Sequence, residues 1–205
     1  MEEEIQKPKT RKAKPGERKL DILKALVDLL QSSKQKHITT KVLAAHLGLS
    51  EAALYRHFAS KAQMYDALIA YVESAVFTAV NQIHQSNPSG MHQARMIATT
   101  LISLTRTNPG MVILMCGDFL TQEDERLQQR LNLLFSKLRT QLKQSLSLAV
   151  AQMEIFSDYD VQVRSELLFS LILGQWVSFS KGIQRTNTEP DSVDKLICTA
   201  LGIRS

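Results

Sequence analysis

Residues Ile38 to Lys61 read ITTKVLAAHLGLSEAALYRHFASK, and this stretch decides the fold. Leu43 and Leu47 recur at i and i+4, as do Leu54 and Phe58, so each pair lies on one face of a short helix. Gly48 stands between the pairs, where a sharp stop after Leu47 needs the positive φ that glycine adopts without a Cβ penalty. Ala44 has almost no side chain, so the second helix is free to cross close against the first. Ser60, with Gln63 three residues later, carries a capping-box signature and starts a third helix. The spacing predicts a helix-turn-helix, whose second helix enters the major groove of DNA. Helical hairpins with a glycine turn also occur inside ordinary bundles, so spacing alone leaves both readings open. On the second helix Glu51, Ala52, Tyr55 and Arg56 stay outward as one contiguous face, polar and small at its leading edge, as a groove-reading surface needs to be.

Charge favours the first reading. Residues 1–66 hold thirteen Lys or Arg against eight Asp or Glu, whereas residues 67–205 hold twelve of each, so the whole net charge of +5 sits with the motif. A polyanion binder needs its positive field where the phosphates lie. An acidic membrane would also draw a basic patch, but it calls for a long amphipathic helix, and Lys7 to Lys19 is broken by Pro8, Pro15 and Gly16.

Lys61 carries its own argument. With Ser60 as N-cap, Lys61 takes the first helical position, where a cation opposes the helix dipole. An external phosphate at that helix end would resolve the conflict by taking both the ammonium and the free backbone N–H groups. A solvated lysine, tolerated at a few tenths of a kcal/mol, is the alternative.

Outward from the motif, residues 1–16 read as a flexible basic arm, either solvated or lying along a DNA backbone or minor groove. Leu20, Leu23, Leu26, Val27 and Leu30 predict a first helix over 17–31. These elements make a DNA-binding domain over 17–66. The helix opened at Ser60 runs through Met64, Leu68 and Val72 towards a break at 87–90 and joins that domain to a second one, 67–205. There the pattern predicts helices over 91–107, 111–120, 123–154, 161–184 and 191–203, the third and longest carrying Leu127, Leu131, Leu134, Leu138, Leu142 and Leu146 at threes and fours. No alternating strand pattern of useful length occurs, so the fold class is all-α. Apolar residues in the last two helices (Leu167, Leu168, Leu171, Ile172, Trp176, Leu196, Ile197, Leu201) exceed what one buried face needs, which points to a homodimer surface there.

The motif closely resembles the DNA-binding region of the TetR family, down to Ala53-Leu54-Tyr55-Arg56-His57-Phe58 followed by Ser60-Lys61, over about the first seventy residues. That resemblance implies a homodimer on palindromic double-stranded DNA. It implies phosphate or groove-edge contacts from Thr39, Thr40 and Lys41 at the start of the first motif helix, and backbone grip from Tyr55 and His57. It also implies a phosphate contact at Lys61, and base reading from Glu51, Ala52 and Arg56 behind Ser50. Arginine favours guanine N7/O6 and alanine a thymine methyl, while Glu51 either accepts from cytosine N4 or simply complements its helix N-terminus.

A narrower resemblance, to the nucleoid-occlusion (SlmA) branch of that family, rests on Ile38-Thr39-Thr40, Ser50 to Ala53, Asn108 to Gly110, Cys116 to Leu120, Glu125 to Gln128 and Leu134 to Leu142. It implies palindromic chromosomal sites, a nucleoid-associated cytoplasmic protein, and the division protein FtsZ as a partner whose assembly is antagonised. The sequence departs from that branch at Asp118, where histidine is usual, and near Ala79, which lacks an expected basic residue. The wider family implies instead a repressor gated by a small-molecule effector in the second domain. An aromatic content of 6% argues against an aromatic-lined pocket there.

Other functions find no residues to carry them. The sequence has no HExxH, glycine-rich phosphate loop, GxSxG or Cys/His cluster, so no enzyme, metal or cofactor is expected. Asp118, Glu123, Asp124 and Glu125 read as a solvated turn with helix N-terminal charges. Cys116 and Cys198 read as free thiols of a reducing cytoplasm. No secretory signal is apparent, and the apolar run 167–180 is shorter than the roughly twenty residues of a membrane span.

Overall fold

Side-chain oxygens set the starts of most of the described helices. Thr39, Ser50, Ser60, Ser89, Asp124 and Asp160 each accept a backbone N–H two or three residues ahead, satisfying a donor that no helical carbonyl can reach. The helices, in a computed structural model that describes residues 15–32, 38–117, 120, 124–183 and 190–203, are α1 (Pro15–Ser32), α2 (Thr40–His46), α3 (Glu51–Tyr55), α4 (Lys61–Ser86), α5 (Gly90–Thr107), α6 (Pro109–Met115), α7 (Glu125–Ala151), α8 (Val161–Ser180) and α9 (Pro190–Leu201). No strand occurs among the described residues, and the all-α class holds. None of the described helices is long and apolar enough to cross a membrane.

Helix α1 packs on α2 and α4, and α2 packs on α3. Ile22, Leu26, Leu30, Leu43, Leu54, Met64 and Tyr65 are all at most 2% exposed and form a small head core. The body core is continuous with it. All six leucines of the α7 pattern, 127 to 146, are buried, facing Ile97 and Leu101 of α5 and Leu168, Phe169, Ile172 and Trp176 of α8. The Trp176 indole N–H donates to the Leu101 carbonyl oxygen at 2.7 Å, so a bulky apolar ring enters the core with its one polar atom satisfied. Asp66 and Glu73 of α4 meet Arg130 and Lys137 of α7 in partly exposed ion pairs.

Two features join head to body. Helix α4 passes through the expected domain limit at 66 without a break, and α6 lies against α1. Several element limits differ from the sequence reading. Helix α1 starts at Pro15, inside the expected arm, because proline suits a first turn; residues 1–14 lie outside the described residues. Helix α6 spans Pro109–Met115 rather than 111–120, since Cys116 leaves helical geometry and the Gly117 N–H turns back to Leu114. Asp124 caps α7 and pairs with Arg126, whereas Asp118 and Glu123 lie outside the described residues.

Candidate nucleic-acid interface

The turn between α2 and α3 closes as the sequence requires. Gly48 has φ +63°; its N–H bonds to the Ala45 carbonyl at 3.1 Å and the Leu49 N–H to the Ala44 carbonyl at 2.8 Å, the paired bonds of a Schellman motif. The chain turns sharply enough for Leu43 and Leu54, both buried, to share one core. Helix α3 is only five residues long, and Phe58 reaches that core from the turn beyond it, through a bond from its N–H to the Leu54 carbonyl at 3.1 Å. Phe58 therefore keeps its i+4 relation to Leu54 without belonging to the helix.

Burying Leu54 and Phe58 turns the opposite face outward. Glu51, Ala52, Tyr55 and Arg56 are exposed together, as the spacing predicts, with His57 half-buried behind them. Thr39 and Ser50 spend their hydroxyl oxygens as N-caps, accepting from Val42 N–H and Ala53 N–H, each at 3.2 Å. Lys41 is exposed on the outer side of α2. Thr40 does something the sequence does not foretell: its Oγ1 donates to Glu51 Oε2 at 2.6 Å, linking the first turn of α2 to the first turn of α3.

Lys61 is the first residue of α4, with Ser60 Oγ accepting from Gln63 N–H at 3.1 Å. The reciprocal half of the capping box is shifted by one position, since Gln63 Oε1 accepts from Ala59 N–H rather than from that of Ser60. The Lys61 ammonium lies 5.7 Å from the Tyr65 ring centroid, within cation–π range, so the cation has a partner on its own helix. Thr39, Thr40 and Lys61 line one shallow recess floored by Leu43 and Tyr65, which brings the starts of α2 and α4 together. Lys19, which the sequence did not mark as a DNA contact, is exposed on α1 with its ammonium 5.6 Å from the Phe58 ring centroid, next to the end of α3. Its position 39 residues before Phe58 gave no local signal for that placement.

In the body, α8 has more apolar surface than its own core uses. Leu168, Ile172 and Trp176 are buried, but Val163, Leu167 and Val177 are exposed, as is Leu196 on α9. Ser170 and Gly174 are exposed between them, and a Cβ on Gly174 would touch nothing. These residues fall at steps of three and four along α8 and form one stripe. Of the surplus the sequence suggested, Leu167 and Leu196 are exposed and Leu171 half-buried, while Leu168, Ile172, Trp176, Ile197 and Leu201 belong to the core.

Residues 22–68 match the model of the bacterial regulatory proteins, tetR family, and residues 89–187 match that of a tetracyclin repressor-like C-terminal domain of SlmA-like type. The chain is 38% identical over 162 residues, 79% of its length and 82% of the relative's, to nucleoid occlusion factor SlmA of Marinomonas sp. (strain MWYL1). It is 42% identical over 134 residues, 65% and 68% of the two lengths, to nucleoid occlusion factor SlmA of Photobacterium profundum. A TetR transcription regulator from Haloarcula marismortui shares the fold with a TM-score of 0.77 at 14% identity, over 91% of this chain and 97% of that one.

Proposed function

The chain belongs to the TetR family of bacterial regulatory proteins, among relatives of the SlmA nucleoid occlusion factors, and on that premise we propose that it binds palindromic chromosomal DNA as a homodimer and, while bound, antagonises assembly of the division protein FtsZ. The observation that carries the DNA half is the exposed face of Glu51, Ala52, Tyr55 and Arg56 on a helix held out by a buried Leu54. Arg56 and Ala52 read base edges. Tyr55, His57, Lys41 and Lys61 hold the backbone, with Lys61 at the start of α4 close to the start of α2. Lys19, beside the end of α3, adds a further cation to the same field. The stripe along α8 with Leu196 of α9 is the dimer surface, and a twofold there sets two reading helices about one DNA turn apart.

The adaptor reading is preferred to a ligand-gated repressor because the relatives matched over most of their length are nucleoid occlusion factors, and because the described side chains at the middle of the body are buried. Trp176, Phe169, Ile172, Leu134 and Leu138 are each at most 1% exposed. An effector pocket would need an enclosed cavity of about 300 Å³ or more. The relatives' name supplies the nucleoid-occlusion half of the proposal. Sedimentation of polymerised FtsZ tests it: with the protein and its DNA site present, FtsZ moves from pellet to supernatant. FtsZ that pellets equally with and without the complex overturns the adaptor reading and leaves the DNA-binding reading intact.

A further inference from the structure

We infer that Glu51 reads an amino group in the major groove, cytosine N4 foremost, and that Thr40 is the residue that positions it. The inference rests on the DNA-binding reading above and adds to it the base that one side chain selects.

The hydroxyl of Thr40 has one proton, and that proton goes to Glu51 Oε2 at 2.6 Å. Thr40 Oγ1 is thereby left only as an acceptor. Phosphate oxygens are acceptors too, so this side chain cannot serve the phosphate role that the motif position suggests. The bond does something else: it pins one carboxylate oxygen of an otherwise flexible, exposed side chain at the leading edge of α3. Glu51 is the first residue of that helix, with Ala52 beside it and Tyr55 one turn on. Of these, Glu51 alone brings negative charge towards a polyanion.

A carboxylate so placed is selective by rejection. It accepts hydrogen bonds and cannot donate them. In the major groove guanine offers N7 and O6, and thymine offers O4 and a methyl, none of which can donate to it. Adenine has a donor at N6 but an acceptor at N7 beside it. Cytosine presents N4–H₂ with no acceptor of its own alongside. Any other base leaves a desolvated charge against an acceptor, which costs more than an unmade neutral bond. Held by Thr40, the carboxylate cannot easily swing away to avoid that encounter. The competing role, a first-turn acid that merely steadies α3 with Thr40 as a clamp, would change affinity for all sequences alike.

The test is selection of bound fragments from a random duplex pool, using the full chain and its Glu51→Ala, Glu51→Gln, Thr40→Val and Thr40→Ser variants. The wild type enriches a palindrome with a C·G pair at one fixed position in each half-site. Glu51→Ala flattens that position by roughly tenfold or more and leaves the others unchanged. Glu51→Gln moves it towards adenine, which a side-chain amide meets at N6 and N7. Thr40→Val weakens the same position, and Thr40→Ser, which keeps the hydroxyl, restores it. If Glu51→Ala yields the same palindrome as the wild type, or Thr40→Val weakens every position equally, the assignment is overturned while DNA binding stands. If the wild type enriches no sequence, the DNA-binding reading falls and the assignment with it.

Discussion

Gly110 of α6 lies so close to Val27 of α1 that a Cβ on residue 110 would overlap the Val27 carbonyl oxygen. The contact is backbone against backbone across 83 positions of sequence, and it joins the DNA-facing head to the body. Gly110→Ala has to push the two helices apart, and overpacking of this kind costs about 1–3 kcal/mol. A chain of this size loses roughly 2–4 °C in Tm per kcal/mol. Thermal unfolding followed by circular dichroism reads the loss directly. An unchanged Tm would mean that α1 and α6 are not held together as the structure has them.

Lys61→Ala removes a cation from the recess it shares with Thr39 and Thr40. Affinity should fall for all duplexes alike, and the slope of log K against log salt should drop by about one. Titration by fluorescence anisotropy over a series of salt concentrations reports both. A changed sequence preference with the same slope would remove Lys61 from the phosphate contacts.

Much of this head is readable from the chain because its decisive interactions are local. Thr39, Ser50 and Ser60 cap helices within three residues of themselves, and Gly48 answers a single backbone angle. The outward face at 51, 52, 55 and 56 follows from the buried positions between them. The bond from Thr40 to Glu51, the place of Lys19 beside Phe58 and the fit of Gly110 on Val27 depend on how separate helices cross, which periodicity does not encode. Apolar continuity also overextended α6, because burial of Leu120 outlasts the helix that ends at Met115.

Leu167 stands exposed on the α8 stripe. Leu167→Glu puts a charge into the proposed subunit contact. Sedimentation velocity should show a monomer in place of a dimer, while the melting temperature of the folded chain at low concentration changes little. A variant that remains dimeric places the subunit contact elsewhere.

Burial holds the His84 imidazole below its usual range; its Nε2 lies 3.3 Å from the Ser145 hydroxyl, which also reaches Gln93. A depressed folded-state value means that the unfolded chain binds the proton more readily. The contribution of this group is therefore complete at pH above about 6.5 and is lost as pH falls from there through the lower folded-state value. Denaturant unfolding from neutral to mildly acidic pH should show this loss in the wild type and a flatter profile in His84→Gln. Parallel profiles would assign the pH dependence to other groups.

Paired heads on one duplex are what the whole arrangement comes down to, and sedimentation of the chain with a selected palindromic duplex measures that directly. At low ionic strength the complex should carry two chains for each palindrome, and it should dissociate as salt is raised. A chain that leaves every duplex unbound at low salt, or that binds as a single copy without preference for paired half-sites, would contradict it.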